Sequence, residues 1–484
     1  MSVVLALAIV MPAVPAQAFG DTNATVSAGG VHTMFIKSDG SLWACGGNHN
    51  GQFGDGTTVS SDTPVKVMDN VASVSAGGNY TMFVKTDGSL WACGYNGAGQ
   101  LGIGSIGTIR SIPIKVMEGV ASVSAGGAQR AHTMVVKTDG SLWAMGNNGS
   151  GQLGNGTTVD SLVPIKVMDD VAFVSAGEYH TMAIKTNGEL WGWGSNASGA
   201  LGDGTTVGRK LPVKVMDDVL AVSAGHGYTM AIKTNGSLWA WGYNAAGKLG
   251  DRTSEYRHFP IFIMDDVASV SAGTDHTMAI KTDGSLWGWG SADDGRLGDG
   301  ADWYTHKMEH VKIMDNAASV SAGHIHTLAV KKDGSIWAWG ANFFGELGVG
   351  PTERILPPVR VTDGVMFTLP PVTVILDGQR VSFDVPPQTI DGRVMLPFRA
   401  ISESLGVTVD WNQSEQTITA KKDDIVVKLP IGSVSPTVNG QIVTVDVPAL
   451  VVEGRTLVPL RFFAEAFGVT VNWDAATRTV AITS

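Results

Sequence analysis

The sequence predicts a mostly β protein, namely a seven-bladed β-propeller followed by a small duplicated α+β stalk domain. Two internal repeats carry this prediction. A short duplication, with an offset of 62 residues, occupies the C-terminal part of the chain. Before it, Val-Ser-Ala-Gly occurs seven times, and a tryptophan follows each copy, with successive tryptophans 48 to 52 residues apart. The copies begin at Val26, Val74, Val123, Val174, Val222, Val270 and Val320, and the tryptophans are Trp43, Trp91, Trp143, Trp191, Trp239, Trp287 and Trp337.

Each unit of the longer repeat has the pattern of four short strands. The unit Val270–Gly300 contains the strand-like segments HTMAIK and SLWGWG, which Asp283-Gly284 joins. An Asp-Gly pair accepts positive φ at both central positions of a turn, which favours a two-residue hairpin. A glycine-rich loop, GxNxxGQLGxG in its fuller copies, then reverses the chain, and a segment such as PVKVM closes the unit. A solenoid is the alternative, but units of near-equal length favour a closed ring.

Composition and charge narrow the classes of function. The chain has 484 residues, of which 44% are apolar and 16% are charged, and 62 are glycine. The apolar fraction is enough for a packed core, which excludes wholesale disorder. The formal net charge is −11. Because a nucleic-acid binder needs a basic face that displaces counterions, the sequence predicts no nucleic-acid partner.

Residues 1–18 have the pattern of a secretory signal peptide. The apolar run 3–14 precedes Ala16-Gln17-Ala18, an A-x-A cleavage pattern. No lysine or arginine precedes the run, and a buried N-terminal strand is the alternative. The run is shorter than the ~20 residues that span a bilayer, and no other segment reaches that length. We therefore expect a protein that is secreted or associated with the cell surface or cell wall.

The seven units resemble regulator-of-chromosome-condensation repeats. The matching motifs are AGxxHT, DGxLWxWGxNxxGQLG and PxKV, which cover about residues 26–365 and drift in the last three copies. The resemblance implies a seven-bladed propeller over 19–368. The eukaryotic founder of the family exchanges nucleotide on a small GTPase and binds chromatin, roles that an export signal and a negative net charge contradict. Secreted bacterial members of the β-lactamase inhibitor protein II type, which grip a partner with aromatic loops on one face, are the better comparison.

The C-terminal duplication covers residues 369–484, with halves at about 372–424 and 434–484. The motif GRxxxPxRxxxExxGVxVxW occurs in both halves, at 392–411 and at 454–473. It resembles the copper amine oxidase N-terminal-like stalk domain of bacterial surface proteins. In the first half, apolar residues at helical spacing before a glycine predict a short helix. These residues are Phe398, Ile401, Leu405 and Gly406.

The oxidase chemistry in that family name does not fit this domain. Copper prefers imidazole ligands, and the quinone cofactor of those oxidases is made from a tyrosine. No histidine follows His326 and no tyrosine follows Tyr304. We therefore interpret the domain as a binding or wall-anchoring module without a cofactor.

Candidates for metal binding and catalysis are weak throughout the chain. Five histidines share one repeat position that Tyr80 and Tyr228 fill in two other units, a change that a hydrogen-bonding ring tolerates and a metal ligand does not. We expect each ring to bond loop backbone in its own blade. The glycine-rich loop lacks the Lys-Ser/Thr of a phosphate loop, and no spacing indicates a catalytic triad. The sequence thus predicts no enzyme, no catalytic residues, no cofactor and no metal site. The histidines are His32, His132, His180, His276 and His326.

The two cysteines are expected to be buried free thiols. Cys45 and Cys93 share a repeat position that Met145 and then tryptophans hold in later units, so the position is apolar. A disulfide needs Cα atoms within ~7 Å, whereas equivalent points on adjacent blades usually lie farther apart.

Departures from the repeat indicate a binding surface on the loops of the last three units. The pair inside NxxG is bland in most units but becomes Phe-Phe in the seventh, and the loop that follows becomes aromatic and charged in the fifth and sixth. Aromatic residues and arginine are typical of binding hot spots. The alternative is that these side chains pack over the blade edge or cover the ring closure. The predicted partner-binding residues are Tyr256, Arg257, His258, Phe259, Trp303, Tyr304, His306, Phe343 and Phe344.

Together these observations predict a non-enzymatic exported binding protein. Its propeller loops would capture a protein partner, such as a secreted or surface enzyme, and its C-terminal domain would anchor or position it at the cell surface. A structural, self-associating surface component and a peptidoglycan or carbohydrate binder are the alternatives. The closure of the ring is left open, because residues 19–25 could pair with the strand near 359–361 or the last unit could close unaided.

Overall fold

The computed structural model describes residues 25–361 except 38, 108, 128–129 and 301–305, and residues 373–483 with several short gaps. The gaps in the second range are 378, 382–387, 391–392, 399–401, 403–404, 446, 453–454 and 475–478. The predicted signal segment therefore lies outside the described residues. The chain divides into two compact units, Met1–Met366 and Phe367–Ser484.

The first unit is a series of four-stranded antiparallel sheets, each built from one repeat, so the predictions of a mostly β chain and of propeller blades are confirmed. We call the sheets blades 1 to 7. Blade 1 contains β1 (Thr25–Ala28), β2 (His32–Ile36), β3 (Leu42–Gly46) and β4 (Ser61–Met68). Blade 2 contains β5 (Val71–Ala76), β6 (Tyr80–Lys85), β7 (Leu90–Gly94) and β8 (Arg110–Met117). Blade 3 contains β9 (Val120–Gly126), β10 (His132–Lys137), β11 (Leu142–Gly146) and β12 (Ser161–Met168).

The remaining blades follow the same order. Blade 4 contains β13 (Val171–Ala176), β14 (His180–Lys185), β15 (Leu190–Gly194) and β16 (Arg209–Met216). Blade 5 contains β17 (Val219–Ala224), β18 (Tyr228–Lys233), β19 (Leu238–Gly242) and β20 (Arg257–Met264). Blade 6 contains β21 (Val267–Ala272), β22 (His276–Lys281), β23 (Leu286–Ser291), the 3-10 turn Asp293–Gly295 and β24 (His306–Met314). Blade 7 contains β25 (Ala317–Ala322), β26 (His326–Lys331), β27 (Ile336–Ala341) and β28 (Arg354–Val361).

The Asp-Gly hairpins differ from the predicted two-residue turn. At Asp283-Gly284 only the glycine has positive φ, at 88°. The Gly284 N–H donates to the Lys281 carbonyl, and the Lys281 N–H donates to the Ser285 carbonyl, which makes a three-residue loop. The Asp283 carboxylate accepts a hydrogen bond from the Ser285 N–H at 2.8 Å. The Asp283 side chain therefore stabilises the turn by this hydrogen bond, and its backbone does not adopt the left-handed conformation.

Adjacent blades are joined by a hydrogen bond that recurs at every junction. The residue at the Gln position of the GQLG motif offers its backbone carbonyl, and a threonine hydroxyl in the second strand of the next blade donates to it. The distances lie between 2.6 and 2.8 Å. The pairs, donor first, are Thr81–Gln52, Thr133–Gln100, Thr181–Gln152, Thr229–Ala200, Thr277–Lys248, Thr327–Arg296 and Thr33–Glu346.

The last of these pairs closes the ring. Blade 7 is built from one continuous segment, and its first two strands, β25 and β26, pack against β1 of blade 1. The Ala28 N–H donates to the Ser321 hydroxyl at 3.0 Å, as equivalent serines accept at the other junctions. Among the described residues, the ring therefore closes without an exchanged strand.

The second unit interleaves the two predicted halves. Strand β29 (Thr373–Leu376) pairs in parallel with β41 (Thr479–Thr483), in a sheet that also holds β30 (Gln379–Val381) and β40 (Thr470–Asp474). A second sheet contains β31 (Gln388–Ile390), β32 (Arg393–Pro397), β39 (Arg455–Pro459) and β38 (Leu450–Val452). A third contains β33 (Thr408–Asn412), β34 (Thr417–Lys422), β35 (Ile425–Pro430), β36 (Thr437–Val438) and β37 (Gln441–Ile442).

Helix α1 (Leu460–Phe467) is the second-half counterpart of the predicted short helix. It ends where Gly468 adopts a φ of 67°, and Gly406 has a φ of 70° at the equivalent point of the first half. Phe398, Leu405 and Phe467 lie in the core of this unit. In the described part of the chain, no helix is long and apolar enough to cross a bilayer.

The junction hydrogen bond generates a stability prediction. Thr229→Val keeps the shape of the side chain but leaves the His180 N–H without its acceptor and removes one donor from the Ala200 carbonyl. Because both groups are buried, we expect the free energy of unfolding to fall by about 2 kcal/mol. Urea unfolding of the full chain measures this change. The matched substitution Thr186→Val, at an exposed position, should change the stability by less than about 0.5 kcal/mol. Equal effects of the two substitutions would contradict the role of the junction.

Candidate functional site

Two sets of loops share one end of the propeller, which we call the loop face. The first set connects the first and second strands of each blade and surrounds the axis, since its residues line one central cavity. The second set, the NxxGQLG loops, connects the third and fourth strands and lies farther out. The central cavity has a volume of about 110 Å³. This is below the ~300–1,000 Å³ of a typical small-molecule site, so the channel itself is a poor candidate.

The aromatic residues predicted for partner binding occupy different parts of this end. Tyr256 is 47% exposed and packs edge-on against Tyr243, with ring centroids 4.9 Å apart. Phe343 and Phe344 are 54% and 43% exposed on the loop of blade 7, where the Phe344 ring meets His49 of blade 1. Phe259 is exposed and lies on β20, against the loop of blade 4 near Gly204.

The remaining predicted residues have structural contacts or lie outside the description. Arg257 pairs with the Asp251 carboxylate at 2.6 Å, and blade 4 has the equivalent pair of Arg209 with Asp203. His258 packs against the blade 4 loop near Gly199, and His306 is exposed at the start of β24. Trp303 and Tyr304 lie outside the described residues. As partner contacts, all nine stay predictions.

The five repeated histidines form part of the blade junctions, and the expectation that each bonds backbone in its own blade is wrong. Their Nε2 atoms lie 2.8 to 3.0 Å from a threonine hydroxyl of the next blade. That hydroxyl already donates its proton to a carbonyl, so it accepts from the histidine, and Nε2 carries the proton. Tyr80 and Tyr228 contact the same threonine position through their hydroxyls. Each tyrosine hydroxyl donates to the backbone carbonyl of the residue before that threonine, His132 at 2.8 Å and His276 at 2.7 Å, so tyrosine fills the junction through a different bond.

Burial keeps these histidines neutral. It lowers the pKa of His32, His132 and His326 to about 3 and that of His180 to about 4, and it also lowers the pKa of His276. Within the described residues, no group of three histidine, cysteine or acidic side chains is arranged to hold a metal ion.

Both cysteines are buried free thiols, as the sequence predicts. Each thiol donates to the junction carbonyl at 3.4 Å, Cys45 to Glu346 and Cys93 to Gln52. In later blades an indole N–H makes the same bond, as in Trp193 with Gln152 at 2.9 Å. Burial raises the pKa of Cys93 to about 12, so its reactive thiolate form is disfavoured.

A buried lysine links the loops of blades 5 and 6. The ammonium group of Lys248 donates to the Asp275 carboxylate at 3.0 Å and to the carbonyls of Thr274 and His226. It also lies 4.4 Å from the centre of the Tyr243 ring. Burial lowers the pKa of Lys248, and the facing carboxylate opposes that effect. This cation is therefore part of the fold of the loop face.

A second cavity on the loop face lies between blades 4 and 5. Its volume is about 310 Å³, which reaches the range of small-molecule sites. Rings of Tyr179, His226 and Tyr243 line it, together with Ala200 and two serines, Ser195 and Ser198. This site was not predicted from the sequence, because the predicted binding residues were chosen from the pair inside NxxG and from the loop that follows it. The residue that opens the cavity is Ala200, which replaces the glutamine of GQLG in blade 4.

Family comparisons agree with this architecture. The model of the RCC1-like domain matches residues 169–435, which is more than half of the chain. This chain belongs to the RCC1-like domain family. Two models of the regulator of chromosome condensation (RCC1) repeat match its earlier part, one at 39–84, 87–136 and 139–184, the other at 24–52 and 71–100.

Solved structures show the same fold for this RCC1-like chain. Human WBSCR16 is 23% identical, with a TM-score of 0.57 over 63% of this chain and 85% of that one. Prp20p from Saccharomyces cerevisiae, described with its binding properties to Gsp1p and histones, is 20% identical, with a TM-score of 0.55 over 62% of this chain and 80% of that one. Yeast RCC1 (Prp20) has also been solved with Kap60 bound to it.

The buried histidines make the RCC1-like unit sensitive to acid. The folded-state pKa of each ring lies below its ordinary value of 6.5, so the unfolded chain binds more protons between the two values. The corresponding stability is complete above about pH 6.5 and is lost as the pH falls towards 3, by up to about 1.4 kcal/mol per pH unit for each ring. Urea unfolding at a series of pH values measures this slope.

A tyrosine exchange isolates one ring. His132→Tyr introduces the residue of blades 2 and 5, whose hydroxyl there donates to a backbone carbonyl of the next blade, and it removes one titrating group. We expect the acid slope to fall by up to about 1.4 kcal/mol per pH unit, with the stability at pH 7 little changed. Thr186→Val, which lies at an exposed position and removes no titrating group, is the control and should leave the slope unchanged. An unchanged slope in His132→Tyr would contradict the assignment of a neutral, buried ring.

The lysine of blade 5 gives a further test. Asp275→Ala leaves a buried ammonium group without its counter-charge. Because Asp275 is partly exposed and water replaces some of the lost interaction, we expect a loss of about 2–4 kcal/mol in the free energy of unfolding. Adding Lys248→Gln, which restores the glutamine of blades 1 to 3, should recover most of that loss in urea unfolding. Failure of the second substitution to recover stability would show that Asp275 acts through other contacts.

Proposed function

We propose that this protein is a non-enzymatic, exported binding protein that captures a protein partner on the loop face of its propeller. The observation that carries the proposal is the exposure of aromatic rings on loops at this end. Tyr256, Phe343 and Phe344 each keep more than two fifths of their surface in solvent, and Tyr95 of blade 2 is 41% exposed. Aromatic rings on a rigid scaffold are the anchors that interfaces use.

The titratable groups of the same face support binding rather than catalysis. The repeated histidines hold the junctions, Lys248 is paired with Asp275, and the guanidinium of Arg296 bonds the Asp293 carbonyl and the Asp294 carboxylate. A general acid or base must exchange protons with a substrate, and these side chains are committed to neighbouring groups of the fold. In the family, Prp20p provides a precedent for partner binding, since its structure was described with its binding to Gsp1p and histones.

Export and surface attachment belong to the same proposal. The apolar run 3–14 with its Ala16-Gln17-Ala18 cleavage pattern supports secretion, and the net charge of −11 supports a partner other than nucleic acid. We assign the C-terminal unit to anchoring or positioning the propeller at the cell surface, because its repeated motif at 392–411 and 454–473 resembles that of stalk domains.

A capture experiment tests the proposal with the full chain. The wild-type protein and the triple variant Tyr256→Ala, Phe343→Ala, Phe344→Ala are immobilised and exposed to secreted and cell-surface proteins. We expect at least one protein that the wild type retains and the variant loses by about tenfold or more, because interface aromatics are typical hot spots.

Two exposed apolar residues away from the loop face provide the matched control. Phe173 lies near the start of β13, and Leu220 lies at the start of β17, at the end of the blades that carries the Asp-Gly hairpins; both are 44% exposed. Their double alanine variant should retain the captured protein. Retention that is equal in all three proteins, or absent from all three, would refute capture by the loop face.

A further inference from the structure

The cavity between blades 4 and 5 arises from one change in the repeat. In each of the other six blades, the residue at the position of Ala200 has a long side chain, which is glutamine, lysine, arginine or glutamate. These residues are Gln52, Gln100, Gln152, Lys248, Arg296 and Glu346. All six are buried, whereas the methyl group of Ala200 fills little of the same space. The junction itself is intact, because the Ala200 carbonyl still accepts hydrogen bonds from Thr229 and Trp241.

Blade 3 shows what the missing side chain does. The carbonyl oxygen of the Gln152 carboxamide accepts a hydrogen bond from the Ser150 N–H at 2.8 Å. Its amide nitrogen donates to the side-chain oxygen of Asn147 at 2.8 Å. The loop thus offers one donor and one acceptor, spaced for a primary carboxamide. Blades 1 and 2 repeat the first of these bonds with Gln52 and Gln100.

Blade 4 keeps the two positions that hold this carboxamide. Ser198 occupies the repeat position of Ser150 and Ser195 that of Asn147, and both serines line the cavity. The backbone N–H of Ser198 is a donor, and the hydroxyl of Ser195 can accept. Ala200 supplies no group to pair with them, so the cavity retains a carboxamide site without its carboxamide.

The other walls suit an aliphatic stem that carries such a group. Tyr179 and His226 approach each other with ring centroids 5.8 Å apart, and Tyr243 forms another wall, held by Lys248 and Tyr256. These rings are half-buried, so they offer apolar surface at the mouth of the cavity. Charged groups of both signs, Glu178 and Arg130, lie near the Tyr179 ring, and neither is among the residues that line the cavity, which favours a neutral ligand.

We propose that this cavity binds a primary carboxamide on an aliphatic stem, namely a glutamine side chain that the captured protein inserts between blades 4 and 5. The inserted group takes the place of the side chain that Ala200 lacks. Its carbonyl oxygen accepts from the Ser198 N–H, and its amide donates to Ser195. This inference rests on the proposed capture of a protein partner, and it adds the anchor residue and the site that receives it.

The test uses a small probe, N-acetyl-L-glutamine methylamide, with the full chain labelled with 3-fluorotyrosine. The protein has seven tyrosines, and Tyr179→Phe and Tyr243→Phe assign the two fluorine signals of the cavity. We expect both signals to shift saturably, with a dissociation constant in the millimolar range that suits a ligand of this size. The leucine analogue, which lacks the carboxamide, should bind about tenfold more weakly because it leaves the two serine positions without partners.

Ala200→Gln is the decisive variant, since it restores the residue of blades 1 to 3 and fills the cavity from within. We expect it to fold with unchanged or higher stability and to abolish the probe-induced shifts. Absence of saturable shifts in the wild type, equal binding of the leucine analogue, or undiminished binding to Ala200→Gln would each overturn the carboxamide site.

The same variant separates this inference from the proposed function. In the capture experiment, Ala200→Gln should retain the partner about tenfold more weakly than the wild type. If it retains the partner fully while the triple aromatic variant loses it, the loop face binds a protein but the glutamine anchor is refuted. If the probe binds and no protein is captured, the carboxamide comes from a free small amide, and the glutamine of a partner is refuted as its source.

Discussion

The structure of the propeller depends on one backbone carbonyl in each blade, at the glutamine position of the GQLG motif. It accepts a hydrogen bond from the threonine of the next blade and, at most junctions, a second from an indole or a thiol. Because the chain contributes a main-chain atom at this point, the junction places no demand on the side chain that the residue carries. Gln152, Ala200 and Lys248 therefore form equivalent junctions. The repeat can thus vary its chemistry at the loop face without weakening its ring.

The need to pair this carbonyl explains why the AGxxHT motif contains a threonine and, beside it, a histidine. Once the threonine proton is directed to it, the threonine oxygen is left as an acceptor in a buried place, and it requires a donor. A neutral imidazole with its proton on Nε2 meets that need. At the two tyrosine junctions the hydroxyl lies beside the threonine oxygen but donates to the neighbouring backbone carbonyl. The glycine of the AGxxHT motif is also required at this place, because a side chain there would collide with its neighbours. A Cβ on Gly177 would approach the His180 ring to within 2.7 Å and the carbonyl of Gly225 to within 2.8 Å.

The sequence predicts the blades well because their determinants are local and repeated. Each unit carries its own strands and turns, so the period alone places them, and the burial of Cys45 and Cys93 follows from the tryptophans that share their position. Contacts between units are harder to predict. The histidines were assigned to their own blades because spacing along the chain does not show that a threonine of the next repeat is the nearer partner.

Arg257 illustrates the opposite error. This residue departs from most repeats, but it forms an ion pair with Asp251, and blade 4 contains an equivalent pair. The cavity at Ala200 was not predicted, because a small residue in place of a large one adds no new chemical group to the sequence, whereas a new aromatic ring does.

The departures from the repeat fall on one side of the loop face. Along the outer loops, blades 1 to 3 keep glutamine at the junction position, whereas blades 4 to 7 carry Ala200, Lys248, Arg296 and Glu346 in turn. Around the axis, the loop residues Gly30 and Gly78 of blades 1 and 2 are replaced by Glu178, His226, Thr274 and His324 in blades 4 to 7. The residues at these two repeat positions, one in the outer loops and one around the axis, thus differ from the earlier blades in the same four consecutive blades. Lys248, Arg296 and Glu346 are buried, whereas Glu178, His226, Thr274 and His324 keep part of their surface in solvent. Under the proposed capture of a protein, the residues around the axis are therefore the ones that a partner over blades 4 to 7 would contact. Such a partner would sit off the propeller axis, over a surface whose backbone is regular and whose chemistry is not.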